Sequence, residues 1–176
     1  RDLGADVIFV TGPADVPPPT GVHVVQVQTA REMKEAVDMA LPVDAAVFAA
    51  AVADWRMATP TTSKLKKKNG ALPELKFTEN PDILAGVSQL KKNRPQLVVG
   101  FAAETDDVIE NATSKRSRKG CDWIVANDVR PQTGIMGGSE NAVTLITKDS
   151  ADVWPRMSKT KVAEQLAQRI SQALTS

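Results

Sequence analysis

The side chains able to act on a charged ligand are gathered in a few short segments. Residues 55–73 hold Arg56, Lys64, Lys66, Lys67 and Lys68 without one acid. Residues 111–120 hold Lys115, Arg116, Arg118 and Lys119, again without one. Of the 22 Lys and Arg, these nine leave 13 against 21 Asp and Glu, so the remainder of the chain carries −8. Two concentrated basic segments on an acidic body suit a compact, highly charged anion better than a long nucleic-acid track. Lys64 heads a lysine run, and a lysine is a flexible point charge able to follow a phosphate along a reaction path. The other reading of such a run is a solvated polybasic loop. Lys115 and Lys119, four residues apart, share one helical face, where two cations repel unless an anion lies between them.

Three further segments bring other chemistry. In AAAVADWR (49–56) small residues at a strand end let a ligand approach the backbone, and Asp54 just beyond can accept from a sugar hydroxyl or an amine; tight packing would also explain the alanines. In NPDI (80–83) Asn80 reads as a helix cap with Pro81 at the first helical position, and the exposed N–H groups of that turn favour an acceptor. In GFAAE (100–104) Gly100 opens the backbone and Phe101 offers a ring for a base or for the core. One cysteine, Cys121, and one histidine, His23, exclude a disulfide scaffold, a zinc finger and a His-based triad. Cys121 reads as a small buried hydrophobe and His23 as a surface imidazole. No G-x-G-x-x-G and no Walker A loop is present.

Elements must position these residues. Short apolar runs at 6–10, 22–27, 45–50, 96–103, 123–126 and 142–147 read as strands. Helical periodicity follows Thr29, Asn80 and Thr105, which read as caps, and closes the chain at 160–174. Residues 51–76 form a long basic loop without elements of its own, an active-site loop by length and charge. The alternation predicts a single α/β domain over 1–176, doubly wound and Rossmann-like, with a mainly parallel sheet between helices on both faces. Ligands bind such sheets at the carboxyl ends of strands. Gly4 reads as a left-handed helix end with too few residues before it for a helix, so the numbered chain is expected to be N-terminally incomplete, starting after a strand, turn and helix. At 42% hydrophobic and 24% charged residues the chain reads as globular, and its longest apolar run, 45–53, is far short of the roughly 20 residues that span a bilayer. Cytoplasmic location and no membrane contact are expected. Four Phe, three Trp and no Tyr give little for stacking nucleic acid, and none is expected as a partner.

In this order AAAVADWR, SKLKKK (63–68), NPDILAGV (80–87), VVGFAAET (98–105), KRSRKG (115–120), IVANDV (124–129) and GGSENAVTLI (137–146) resemble the phosphopantothenoylcysteine synthetase (phosphopantothenate–cysteine ligase) family. In bacteria that unit is usually the C-terminal half of a bifunctional coenzyme A biosynthesis flavoprotein. The family's opening strand and its N-x-S-S-G-x-M-G-type turn have no match here. The resemblance implies a ligase that condenses 4′-phosphopantothenate with cysteine through a CTP-derived acyl-cytidylate, releasing pyrophosphate and CMP. It implies Lys64 as the catalytic side chain, and Phe48, Ala49, Ala50, Asp54, Asn80, Pro81, Asp82, Ile83, Phe101, Lys115 and Lys119 at the nucleotide, with Mg²⁺ on the phosphates. It implies a homodimer, and FMN only where a decarboxylase domain is attached upstream. Two other readings remain open: a non-catalytic nucleotide-binding and dimerisation module, favoured by the missing opening, and an NAD-type dehydrogenase, favoured only by the winding pattern.

Overall fold

The computed structural model describes residues 1–59, 75–130, 133–135 and 137–175. Lys64 and the rest of the SKLKKK run lie outside the described residues. In chain order the elements are β1 (Ile8–Thr11), β2 (His23–Gln26), α1 (Ala30–Ala40), β3 (Ala45–Phe48), β4 (Trp55–Met57), β5 (Phe77–Glu79), α2 (Ile83–Ser88), β6 (Leu97–Glu104), α3 (Val108–Lys119), β7 (Trp123–Asp128), β8 (Glu140–Asn141), β9 (Val143–Ile146), β10 (Ala151–Val153), β11 (Met157–Ser158) and α4 (Lys159–Thr175).

The apolar runs at 45–50, 96–103 and 123–126 become neighbouring parallel strands, with Phe48 opposite Gly100 and Phe101 opposite Val125. Beyond β7 the sheet turns antiparallel, in the order β10-β9-β7-β6-β3. The domain is α/β as expected, but its central sheet is mixed rather than doubly wound throughout. No α-helix stands between β7 and β9 among the described residues, and a chain without a crossover returns antiparallel.

Period-two alternation divides β6 between two cores. Val98 and Ala102 face one cluster, where Val87, Ala112 and Ile124 are buried and Phe48, Leu84, Val108 and α1's Val37 pack against them. Leu97, Val99 and Phe101 face the other, built with Leu145, Trp154 and, from α4, Val162, Leu166 and Ile170. Helices thus cover both faces. Gly100 lies beneath α2, and a Cβ there would stand 2.6 Å from Leu84 Cδ2. Cys121 is buried and His23 exposed, as expected.

β1 and β2 form a parallel pair of their own, Ile8 opposite His23. Among the described residues β1 and β3 each keep one edge unpaired. Residues 51–76, expected to hold no element, contain β4, which pairs antiparallel with β5, Met57 opposite Phe77. Three residues are too few for alternation to register in a sequence. Thr29 caps α1 as expected, its hydroxyl accepting from the Glu32 N–H at 3.2 Å. Thr105 does not cap α3: Asp107 holds that position at φ +40°, and the Thr105 hydroxyl bonds Asp106 instead.

One carboxylate fixes where β6 and β7 begin. Asp122 Oδ2 accepts from the Val98 N–H at 2.7 Å and from Arg94 at 3.0 Å, while the Asp122 N–H donates to the Val98 carbonyl at 3.0 Å. Arg94 also donates to the Ser88 and Pro95 carbonyls. Asp122→Ala leaves the Val98 N–H without its acceptor and removes the carboxylate paired with Arg94. Urea unfolding is expected to show a loss of about 1–3 kcal/mol; wild-type stability would contradict this role.

Candidate functional site

The site is assembled on the backbone that follows β3. Ala49 and Ala50 continue from Phe48 as exposed residues, and the chain passes Ala53 and Asp54 before entering β4. Asn80 catches it there. The Asn80 side-chain Nδ2 donates to the Ala53 carbonyl at 2.8 Å, and the Asn80 backbone N–H donates to the Asp54 carbonyl at 2.8 Å. Two residues read from the sequence as separate features, Asp54 and Asn80, are therefore one unit. The Asp54 carboxylate is exposed, with no partner among the described residues.

Asn80 does not cap α2, contrary to expectation. Asp82 does, its Oδ1 accepting from the Ala85 N–H at 3.0 Å. The physical reason is Asn80's own commitment: its NH₂ bonds the Ala53 carbonyl and its oxygen accepts from Arg56, so the next short acceptor along the chain, past half-buried Pro81, takes the cap. Ile83 then anchors the turn, 6% exposed.

The other Asp82 oxygen accepts from the Lys119 ammonium. The backbone of Lys119 lies near the far end of α2, because Gly120, which closes α3 at φ +75°, approaches the Gln89 and Ser88 side chains. The lysine stem runs back along the short helix, leaving the side chain 17% exposed. Burial alone would raise the Asp82 carboxyl; the Lys119 hydrogen bond, the Ala85 N–H and the charges of Lys119 and Arg118 together hold it below the ordinary carboxylate range. Lys115 lies one turn earlier on the same side of α3, half-buried and without an acidic partner among the described residues. A chain of contacts thus runs Ala53–Asp54, Asn80, Asp82, Lys119, with Phe48 packed into the core beneath it.

Phe101 stands apart. One residue out of phase with Gly100 on the same strand, it belongs to the cluster on the sheet's opposite face, with Val125 and Trp154. Its expected place beside a base is not on the surface that carries Lys119. At the neighbouring strand end, Arg130 neutralises Asp128 and holds its carboxyl below the ordinary range, and the Val129 N–H donates to the Glu104 carbonyl at 2.9 Å.

Sequence reading gave no role to Arg56. Its guanidinium donates to the Glu79 carbonyl and, at 3.4 Å, to Asn80 Oδ1. The available signal was its place at the end of AAAVADWR, a cation directly after the candidate acid.

The arrangement offers an exposed carboxylate, the Arg56 guanidinium and the Asp82–Lys119 pair close to exposed backbone after β3, which suits a polar ligand with an anionic part. A family model for the DNA/pantothenate metabolism flavoprotein C-terminal domain matches residues 1–174. The coenzyme A biosynthesis bifunctional protein CoaBC of Escherichia coli (strain K12) is 43% identical over 170 residues, 95% of this chain and 42% of that protein. The protein of the same name from Vibrio cholerae is 40% identical over 174 residues, 98% of this chain and 43% of that protein. The chain therefore spans less than half the length of these relatives. Among solved structures, a crystal structure of the C-terminal domain of CoaBC superposes with a TM-score of 0.79 at 35% identity, over 99% of this chain and 77% of the other.

Asp82's lowered value gives it a pH signature. The stability it contributes is present above its unfolded value and disappears as pH falls through the folded one. NMR titration is expected to find Asp82 ionising below an ordinary aspartate, and Lys119→Met to move that transition upward. An unmoved transition would contradict the pairing.

Proposed function

We propose that this chain, which belongs to the DNA/pantothenate metabolism flavoprotein C-terminal domain family, acts as the phosphopantothenate–cysteine ligase part of coenzyme A biosynthesis with CTP as the activating nucleotide. The observation that supports this most is that Asn80 is hydrogen-bonded to Ala53 and Asp54 while Asp82, two residues further along the same turn, is paired with Lys119. Residues scattered over the sequence converge there beside the carboxyl end of β3. We read the parallel part of the sheet as Rossmann-like, with the nucleotide at that edge.

The carboxylate of 4′-phosphopantothenate attacks the α-phosphorus of CTP, and pyrophosphate leaves. The amine of cysteine then attacks the acyl-cytidylate carbonyl, a proton passes to solvent, and CMP leaves. Negative charge builds on phosphorus and on the departing pyrophosphate, so fixed cations lower the barrier by several kcal/mol. Lys115 and Lys119 fit that task from α3, and Lys64 is assigned the catalytic role by resemblance. Ala49 and Ala50 admit the nucleoside to the backbone, Asp54 accepts from it, and residues 80–83 frame it. Phe101 reaches a base only across the strand edge from the opposite face. Among the described residues no group of three or more His, Cys, Asp or Glu side chains is placed to hold a metal ion. Mg²⁺, where the resemblance implies it, would arrive with the nucleotide and would supply charge neutralisation at its phosphates.

A homodimer is part of the same reading: Trp55 and Phe77, 58% and 61% exposed, give the β4–β5 ribbon an apolar surface for a second copy. No helix among the described residues is long and apolar enough to cross a membrane.

The test is incubation with CTP, 4′-phosphopantothenate and cysteine, with pyrophosphate as readout. Release dependent on all three is expected, and Lys64→Gln should cut turnover about 10²–10³-fold with a smaller loss of CTP affinity. CTP binding without pyrophosphate would favour a nucleotide-binding module, and preference for NAD would end the ligase reading.

A further inference from the structure

Among the described residues β4 and β5 form a sheet of their own. Two three-residue strands pair only with each other, and a two-stranded ribbon is marginal by itself. Its exposed aromatics add no core. What ties it down is the junction where Asn80 meets Ala53 and Asp54, and Arg56 sits on that junction.

We infer that Arg56 is a positioning residue: its guanidinium, gripping the Glu79 carbonyl and Asn80 Oδ1, locks the Asn80 amide so that Ala53 and Asp54 are held at the end of β3. The lock follows from hydrogen-bond inventory. Arginine has only donors, and an amide has one donor end and one acceptor end. With Arg56 on Oδ1, the NH₂ end must face the Ala53 carbonyl, where it makes its 2.8 Å bond. Turning the amide would set its NH₂ against the guanidinium and its oxygen against a carbonyl, losing both contacts. Arg56 is half-buried and makes no ion pair with an acid among the described residues; its partners are the Glu79 carbonyl and Asn80 Oδ1. It lies outside both buried clusters, and its loss loosens the Ala53–Asp54 backbone while leaving the sheet intact.

This inference rests on the ligase reading for its consequence, because Ala53 and Asp54 matter only if a nucleotide binds there. The geometry itself can be checked without activity. In Arg56→Met, exchange of the Asn80 backbone N–H, which donates to the Asp54 carbonyl, should quicken about tenfold, as expected for weakening one hydrogen-bonded junction. The thermal midpoint should stay within a few degrees. Titration with CTP should show affinity about tenfold weaker, and KM for CTP should rise more than kcat falls. Arg56→Lys should recover part of both, since an ammonium donates without the fork. In an Asn80→Ala background Arg56→Met should add little, because the two act through one amide. Wild-type exchange at Asn80, or additive losses in the double variant, would overturn the inference. If the wild-type chain fails to bind CTP the ligase reading falls, while the exchange rates alone still decide Arg56.

Discussion

An amide committed at both ends cannot turn, and in this protein Asn80 is held that way between Arg56 and Ala53. Its backbone N–H is committed too, to Asp54. Three bonds from one residue join the strand that ends at Phe48 to the helix that begins at Ile83. The rest of the site depends on that join. With Asn80 occupied, Asp82 becomes the cap; with Asp82 capping, its second oxygen is free for Lys119; and Lys119 brings α3 into the same surface.

The core supports this arrangement without taking part in it. Two apolar clusters lie on opposite sides of one sheet, and β6 contributes to both by simple alternation. The same alternation separates Gly100, which lets Leu84 close in, from Phe101, which packs with Trp154. A residue's membership in a motif does not decide which side of the sheet it serves. The Asp122 carboxylate sets where the two central strands start.

Much of this was legible in the sequence. The apolar runs that became β3, β6 and β7, the Thr29 cap and the clustering of cations could all be read, because burial and period leave a direct compositional trace. The antiparallel margin could not, since parallel and antiparallel strands have similar composition and the deciding fact is a missing crossover helix. The β4–β5 ribbon was too short to show alternation. Asn80 was read as a cap because asparagine caps helices well; that it prefers a carbonyl 27 positions away is a tertiary fact with no local signature. Arg56 escaped for the same reason: its acceptors are distant in the chain and one is backbone.

If CTP binds as proposed, Ala53, Asp54, Asn80 and Lys119 form one surface for it. Titrating CTP into isotope-labelled protein while following backbone and lysine ammonium signals tests it most directly. The amides of Ala53, Asp54 and Asn80 and the Lys119 head are expected to shift together, with one saturation curve. Shifts confined to α4 and the β10 edge, with those four signals unmoved, would contradict it.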